Sequence, residues 1–336
     1  MIRFREHSIG APSDQRGVTL VELMVALVLG LVVSGAALAL FMTNKQVYTS
    51  SENLDRVQES SRTAFELMAR DIREADGNPC SNEIDLVNGL NGYNTVGHPW
   101  WSDWGAGIKG YTGTDAFADA PFGTAERDRV NGTPAIEVWN AIATGSIVTT
   151  EMPLTTSDVT VNNTAGIAAA DILVICDYNH GAIFQATKVT GTTIEHAASG
   201  TPGNATADLP PSVFGPSASK PDKYAYISKM HASRWYIGYN GRTDKDGNKL
   251  TSLYRTAFTG SALAPTADEI VEGVVGMTLQ YHEQDADDYA DVPTDWANVD
   301  AVKIGLNLAS RDKAGTDQQT LKRDYEHVVA IRSRAP

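Results

Sequence analysis

The sequence predicts an α+β chain in which one long N-terminal helix carries an antiparallel, β-rich head. Three observations predict it. Val18–Met42 is a 25-residue, predominantly apolar run with one formal charge, Glu22. Apolar residues then recur at three- and four-residue spacings from Leu54 to Ile72. From residue 77 onward the chain becomes a series of short β-branched and aromatic runs bounded by turn residues.

A 25-residue helix is about 37 Å long and crosses a hydrocarbon core of about 30 Å with some tilt. Arg3, Arg5 and Arg16 precede the run, Lys45 follows it, and an acid-rich chain comes after. This asymmetry places the N-terminus in the cytoplasm and the rest outside. The run is too long for the core of a secretory signal peptide, and no A-x-A-like site ends it. An uncleaved signal anchor accounts for the run but leaves Gly17 and Glu22 without a cause. The net charge of −14 argues against a phosphate-backbone binder, so no direct nucleic-acid binding is expected.

Thr19-Leu20-Val21-Glu22 fits a capping box, in which the Thr19 hydroxyl satisfies an orphan amide while Glu22 reaches back to the first turn. A carboxylate in lipid is also costly and calls for a cationic partner. The run holds no other charge. Cutting after Gly17 would create one, because Val18 would then carry a free α-amine with a reference pKa near ~8. Glu22 lies one turn from that amine in its own chain, and meets the amine of a neighbour in a bundle of parallel, axially stepped helices.

The stretch "RGVTLVELMVAL" resembles the class III signal of type IV prepilins and pseudopilins: a basic leader ending in Gly, then an apolar helix with Glu as its fifth residue. Gly17, Thr19, Leu20, Glu22 and Leu23 all fall in place, whereas Val18 stands where the family usually has Phe. The resemblance implies a type IV pilin fold and a cytoplasmic leader, 1–17, removed by a prepilin peptidase that then N-methylates Val18. It also implies a helical spine over 18–76, with 18–42 in the membrane and later in the filament core. Glu22 would neutralise the amine of an adjacent subunit during assembly. Gly30 and Gly35 each cost roughly 1 kcal/mol against Ala in a helix. They imply close helix packing through small residues, or a local unwinding in the filament as in the family.

Beyond Thr43, Leu54, Val57, Ser61, Ala64, Met68 and Ile72 form a stripe broadened by Phe65 and Leu67, with charged residues around the rest. The helix is expected to run from Thr19 to Ala75 until Asp76-Gly77-Asn78-Pro79 stops it. Strands are expected at 134–142, 171–176, 182–191, 192–197, 223–228, 234–239, 252–255, 276–283, 300–310 and 325–334. Strict alternation of Val302, Ile304, Leu306 and Leu308 predicts one buried and one polar face there. The head, 77–336, is expected in the periplasm or outside the cell. Its segments "ADILVICDYNHGAIFQATKV", "RWYIGYNG", "IVEGVVGMTLQYHEQD", "VDAVKIGLNLASR" and "VVAIRSR" are similar to the head of PilW-type minor pilins, relatives of the J-type pseudopilins of type II secretion.

The two cysteines, Cys80 and Cys176, fit a disulfide in an oxidising compartment, two buried thiols, or a Cys176-x-x-x-His180 chemical pair. The last reading lacks the further ligands or partners such sites need. Asp244, Asp246 and Asn248 begin like a calcium loop, but position 255 is Arg where the loop needs Glu, so a hairpin turn is the better reading. The acidic run 283–291 reads as a solvated face, with a cation shared by Asp285, Asp287 and Asp288 as the sharper reading. Trp100, Trp101 and Trp104 in a Gly-rich stretch read as core filling or as a ligand loop. No nucleophile elbow, zincin helix, P-loop or dinucleotide fingerprint is present, so neither enzyme nor cofactor is expected. The resemblance implies as partners the other minor pilins and the major pilin, the prepilin peptidase, the inner-membrane assembly machinery and the lipid bilayer. The resulting expectation is a minor pilin acting in filament initiation near the tip; the alternatives are a J-type pseudopilin and a tip adhesin.

Overall fold

The computed structural model describes residues 17–80, 84, 86–117, 120–261, 264–313 and 319–335. Residues 1–16 of the expected leader lie outside the described residues. The chain forms two compact units, one ending at Glu52 and one beginning at Asn53.

Helix α1 runs from Leu20 to Arg73, slightly shorter at both ends than the sequence predicts. At its C-terminal end the bonds tighten, with Ala75 N donating to Ile72 O (3.1 Å) and Gly77 N to Glu74 O (3.0 Å). Asp76 then turns to a positive φ of 59°, which no helix can continue. In the first unit every residue from Gly17 to Tyr48 is exposed.

Fourteen strands follow among the described residues: β1 (Leu86–Asn88), β2 (Ile108–Tyr111), β3 (Ala135–Ile147), β4 (Val159–Thr160), β5 (Ile172–Cys176), β6 (Gly181–Gln185) and β7 (Lys188–Thr190), then β8 (Thr193–Glu195), β9 (Tyr226–Thr243), β10 (Lys249–Phe258), β11 (Ala267–Glu272), β12 (Val274–Glu283), β13 (Val299–Ala309) and β14 (Lys322–Ala330). Two expectations change. The runs 223–228 and 234–239 form one strand, β9, because the intervening Lys229–Ser233 also pairs, with β3 and β10 as partners. The run 182–191 breaks into β6 and β7 at Ala186-Thr187, whose amides bond outside both strands, to Asp171 O and Glu195 O.

β9 organises an eight-stranded sheet. β3 pairs along one edge of it; β5 and then β10 pair along the other. Only β1 and β6 pair in parallel there. β12, β13 and β14 form an antiparallel meander, and β4, β8 and β7 a small third sheet. The second half of α1 lies in a core shared by the first two sheets. Val57, Ala64, Met68 and Ile72 pack with Trp235, Ile237 and Leu253 of the large sheet and with Val302, Ile304 and Leu306 of the meander. The predicted stripe therefore faces β-structure, and the alternating residues of β13 supply its far wall.

Charge ties this part of the helix to the head. Asp71 is buried; its Oδ2 accepts from Trp235 Nε1 at 2.8 Å, and its two oxygens take Arg255 Nε and Nη2. At the helix end, the Asp76 carboxylate accepts from Trp104 Nε1 (3.1 Å) and Arg334 Nη2 (3.1 Å). Ser333 Oγ donates to Ala75 O at 2.8 Å.

Candidate functional site

The opening of α1 has the geometry its sequence implies. Thr19 stands just before the helix; its Oγ1 accepts from Glu22 N at 3.2 Å. Glu22 Oε2 accepts in return from Thr19 N (2.9 Å) and from Thr19 Oγ1 (3.0 Å). This reciprocal arrangement is a capping box, and it satisfies first-turn amides that have no helical partner. Both bonds end on Oε2, and among the described residues none donates to Oε1. Gly17 and Val18 lie exposed ahead of it, outside the helix.

Leu20 begins the helix and is exposed, as are Leu23, Val25, Leu27 and Val28. Backbone polar groups are satisfied within the helix, while an apolar surface of this extent has no favourable contact with water. Lipid or other helices must cover it. A Cβ added at Gly30 or Gly35 would meet no atom within 4 Å. Neither glycine serves packing within this chain, so any packing role belongs to contacts with other helices.

In the head, Cys80 and Cys176 form a disulfide with Cα atoms 6.0 Å apart. Bonded in this way, Cys176 offers neither a thiolate nor a metal ligand. His180 instead holds Asp177 Oδ1 through Nδ1 at 2.7 Å and stacks on Phe214. The expected tryptophan loop folds inward. Trp101 is buried and stacks on Phe258 with centroids 4.1 Å apart, and Trp104 is buried over Asp76. Trp100, partly buried, receives the Arg234 guanidinium 4.5 Å from its ring centroid. These rings fill core and cap buried charge.

Asp244 closes a turn on itself: Oδ1 accepts from the amides of Asp246 and Asn248, and Oδ2 from Asn248 Nδ2 (2.8 Å). Lys313 pairs with Asp246 at 2.8 Å. The oxygens a cation would use are already engaged, which matches the hairpin-turn reading. In the acidic run, Glu283 caps the amides of Thr294 and Asp295, both at 2.9 Å. Among the described residues no group of three or more His, Cys, Asp or Glu is placed to hold a metal.

Sequence reasoning missed the buried polar residues of the large sheet. Glu137 on β3 and Arg234 on β9 form an ion pair, both buried, and Tyr111 donates to Glu137 Oε2 at 2.7 Å. Burial pushes the Glu137 carboxyl up, opposed by the Arg234 charge. Arg129 is fully buried, and its guanidinium donates to the carbonyls of Thr112, Asp115 and Thr133. Burial brings its pKa down to about 10. The Glu137, Arg234 and Tyr111 contacts cross-link β2, β3 and β9 within the sheet. The signal for them in sequence is slight: a single Glu or Arg inside an otherwise apolar β run.

Among known proteins, no curated protein and no solved structure matches the chain. Residues 12–38 match the prokaryotic N-terminal methylation motif, which covers the capping box and much of the exposed apolar helix and none of the head. The motif implies processing by a prepilin peptidase and assembly with pilus machinery, and the apolar helix fits membrane anchoring. Motif and helix together support a type IV pilin-like or pseudopilin subunit.

Proposed function

We propose that this chain is a minor subunit of a type IV pilus, of the PilW type, that helps initiate the filament near its tip. Residues 1–17 are the cleaved leader, 18–76 the spine and 77–336 the head. The N-terminus lies in the cytoplasm and the head in the periplasm until the apolar half of α1 leaves the bilayer for the filament core. Other minor pilins and the major pilin are its neighbours there.

The observation that carries this reading is the capping box at the mouth of a helix whose apolar first half is exposed throughout. Glu22 spends one oxygen on its own helix and keeps the other for a neighbour's Val18 ammonium, so cap and intersubunit pair coexist. A head of about 260 residues is bulky for a repeating subunit and favours a rare position. A J-type pseudopilin of type II secretion shares the motif and helix, and gene neighbours separate the two.

Mass analysis of the protein from membranes and from sheared filaments tests the proposal. The expected mass begins at Val18 in both fractions. A protein that retains residues 1–17 and is missing from sheared material overturns it.

A further inference from the structure

A cavity of about 530 Å³ opens beside the Cys80–Cys176 disulfide. Its rim carries three tyrosines: Tyr178 (80% exposed), Tyr224 (54%) and Tyr226 (36%). Exposed aromatic rings are ordinarily scattered, and their convergence on one cavity with a few polar groups marks a binding site.

The rings are held on rigid supports. Tyr178 and Asn179 form the two-residue turn between β5 and β6, closed by Asp177 N donating to His180 O at 2.9 Å. Asp177 Oδ1 accepts from the amides of Asn179 (2.9 Å) and His180 (3.1 Å), fixing the turn from inside. Tyr226 opens β9 in register with Cys176 of β5, whose disulfide partner Cys80 lines the cavity. Tyr224 is two residues away. A site built on paired strand ends and a cross-link loses little freedom when a ligand binds.

Its polar groups are mixed. Asp177 is buried, its side chain 2% exposed; its Oδ2 takes no hydrogen bond among the described residues and lies 3.6 Å from Lys223 Nζ. Asp222, Asn179 and the tyrosine hydroxyls add acceptors and donors at the surface. Two carboxylates against one ammonium leave the site net negative, on a chain of net charge −14. Anionic ligands are repelled. Ring faces suit the C–H faces of a pyranose, and alternating acceptors and donors suit its hydroxyls.

We propose that this cavity binds a neutral saccharide, with Tyr178, Tyr224 and Tyr226 as the stacking rim and Asp222 and Asn179 as hydroxyl partners. The proposal is independent of filament assembly. The test is saturation-transfer NMR on the full chain in detergent, with lactose, maltotriose and chitotriose, and with sialyllactose as the anionic counterpart, each to about 10 mM. At least one neutral sugar is expected to bind, with sialyllactose weaker than lactose. Tyr224→Ala and Asp222→Asn, both exposed changes, are expected to weaken binding about tenfold each, the equivalent of ~1.4 kcal/mol. Three results overturn the proposal. One is no neutral sugar binding at that concentration. Another is binding unchanged in Tyr178→Ala/Tyr224→Ala. The third is loss of filament incorporation in that double variant with no sugar bound by the wild type, which assigns the rim to a protein contact.

Discussion

Asp71 of α1 and Arg255 of β10 meet in a two-point pair, 184 residues apart in sequence, with both N···O distances at 2.8 Å. Trp235 Nε1 shares the same carboxylate. The helix is thus clamped to the large sheet by a planar fork that fits one orientation. Removing one partner of such a buried pair costs about 3 kcal/mol, because the other charge is left without compensation. Asp71→Ala should lower head stability by that amount in urea unfolding followed by tryptophan fluorescence. Arg255→Met, which removes the charge that needs the carboxylate but strands Asp71, should cost a similar amount. An Asp71→Ala protein as stable as wild type would show the clamp to be energetically idle.

One pair of variants separates the capping role of Glu22 from its proposed pairing with a neighbour's amine. Glu22→Gln keeps the capping box, which Gln serves as well as Glu, but carries no charge. Glu22→Ala removes both and costs about 1 kcal/mol at the helix start. If the carboxylate pairs with a neighbour's amine, both variants are lost from sheared filaments. If it only caps, Gln is retained and Ala alone is depleted.

The disulfide closes a loop between Cys80 and Cys176, separated by 96 positions. In the chain-entropy model such a loop is worth about 4 to 5 kcal/mol. Cys80→Ala/Cys176→Ala should lower the thermal midpoint of the head, and adding reductant to the wild type should reproduce the shift. No further shift is expected when reductant is added to the double variant.

His282 offers both ring nitrogens to acceptors: Nδ1 lies 2.7 Å from Asp300 Oδ1 and Nε2 lies 3.0 Å from Ala286 O. Only the doubly protonated ring donates to both. The bond to Asp300 raises its pKa. Its stabilising effect is therefore full below the unfolded value of about 6.5 and fades as pH rises through the higher folded value. NMR titration should place the midpoint above the free value, with amide exchange in the 284–290 loop quickening as His282 deprotonates. Asp300→Asn should bring the midpoint back toward that of free histidine.

Trp101 distinguishes core from ligand loop by stability alone. Its ring is buried against Phe258 at an interplanar angle of 6°. Trp101→Ala should cost about 3 to 5 kcal/mol, the range for emptying a large aromatic site in a core. An unchanged thermal midpoint would return the ring to the surface.

The N-terminal half of the fold is plain in the sequence because its signals are local. Glu22 sits three residues after Thr19, and the stripe from Val57 to Ile72 repeats at helical spacing. β13 is equally legible, since the alternation of Val302, Ile304, Leu306 and Leu308 reports its buried face directly. The long-range features were not. Asp71 reads as one more exposed helix charge until Trp235 and Arg255 are brought over it. β9 looks like two strands because Lys229, His231 and Ser233 interrupt its apolar pattern, yet all three pair with β3, and Lys229 and Ser233 pair also with β5 and β10 on the other edge. β11, "ADEIVE", is half acidic and shows no strand alternation, and β4 is two residues long. The tyrosine rim is hidden in the sequence because Tyr178 lies far from Tyr224 and Tyr226, and only the pairing of β5 with β9 brings them together.

The bond from Ser333 Oγ to Ala75 O joins positions 258 apart. On the proposed topology the head crosses the membrane beginning with the residues next to the spine, so nearly all of it must emerge before this latch closes. Until then β13 lacks its outer neighbour β14, and the greasy wall that faces Met68 and Ile72 has an open border. On the proposed topology, the period between translocation and latching is when the chain is most vulnerable to proteases and to sticking to its own kind, and when a chaperone would have most to protect.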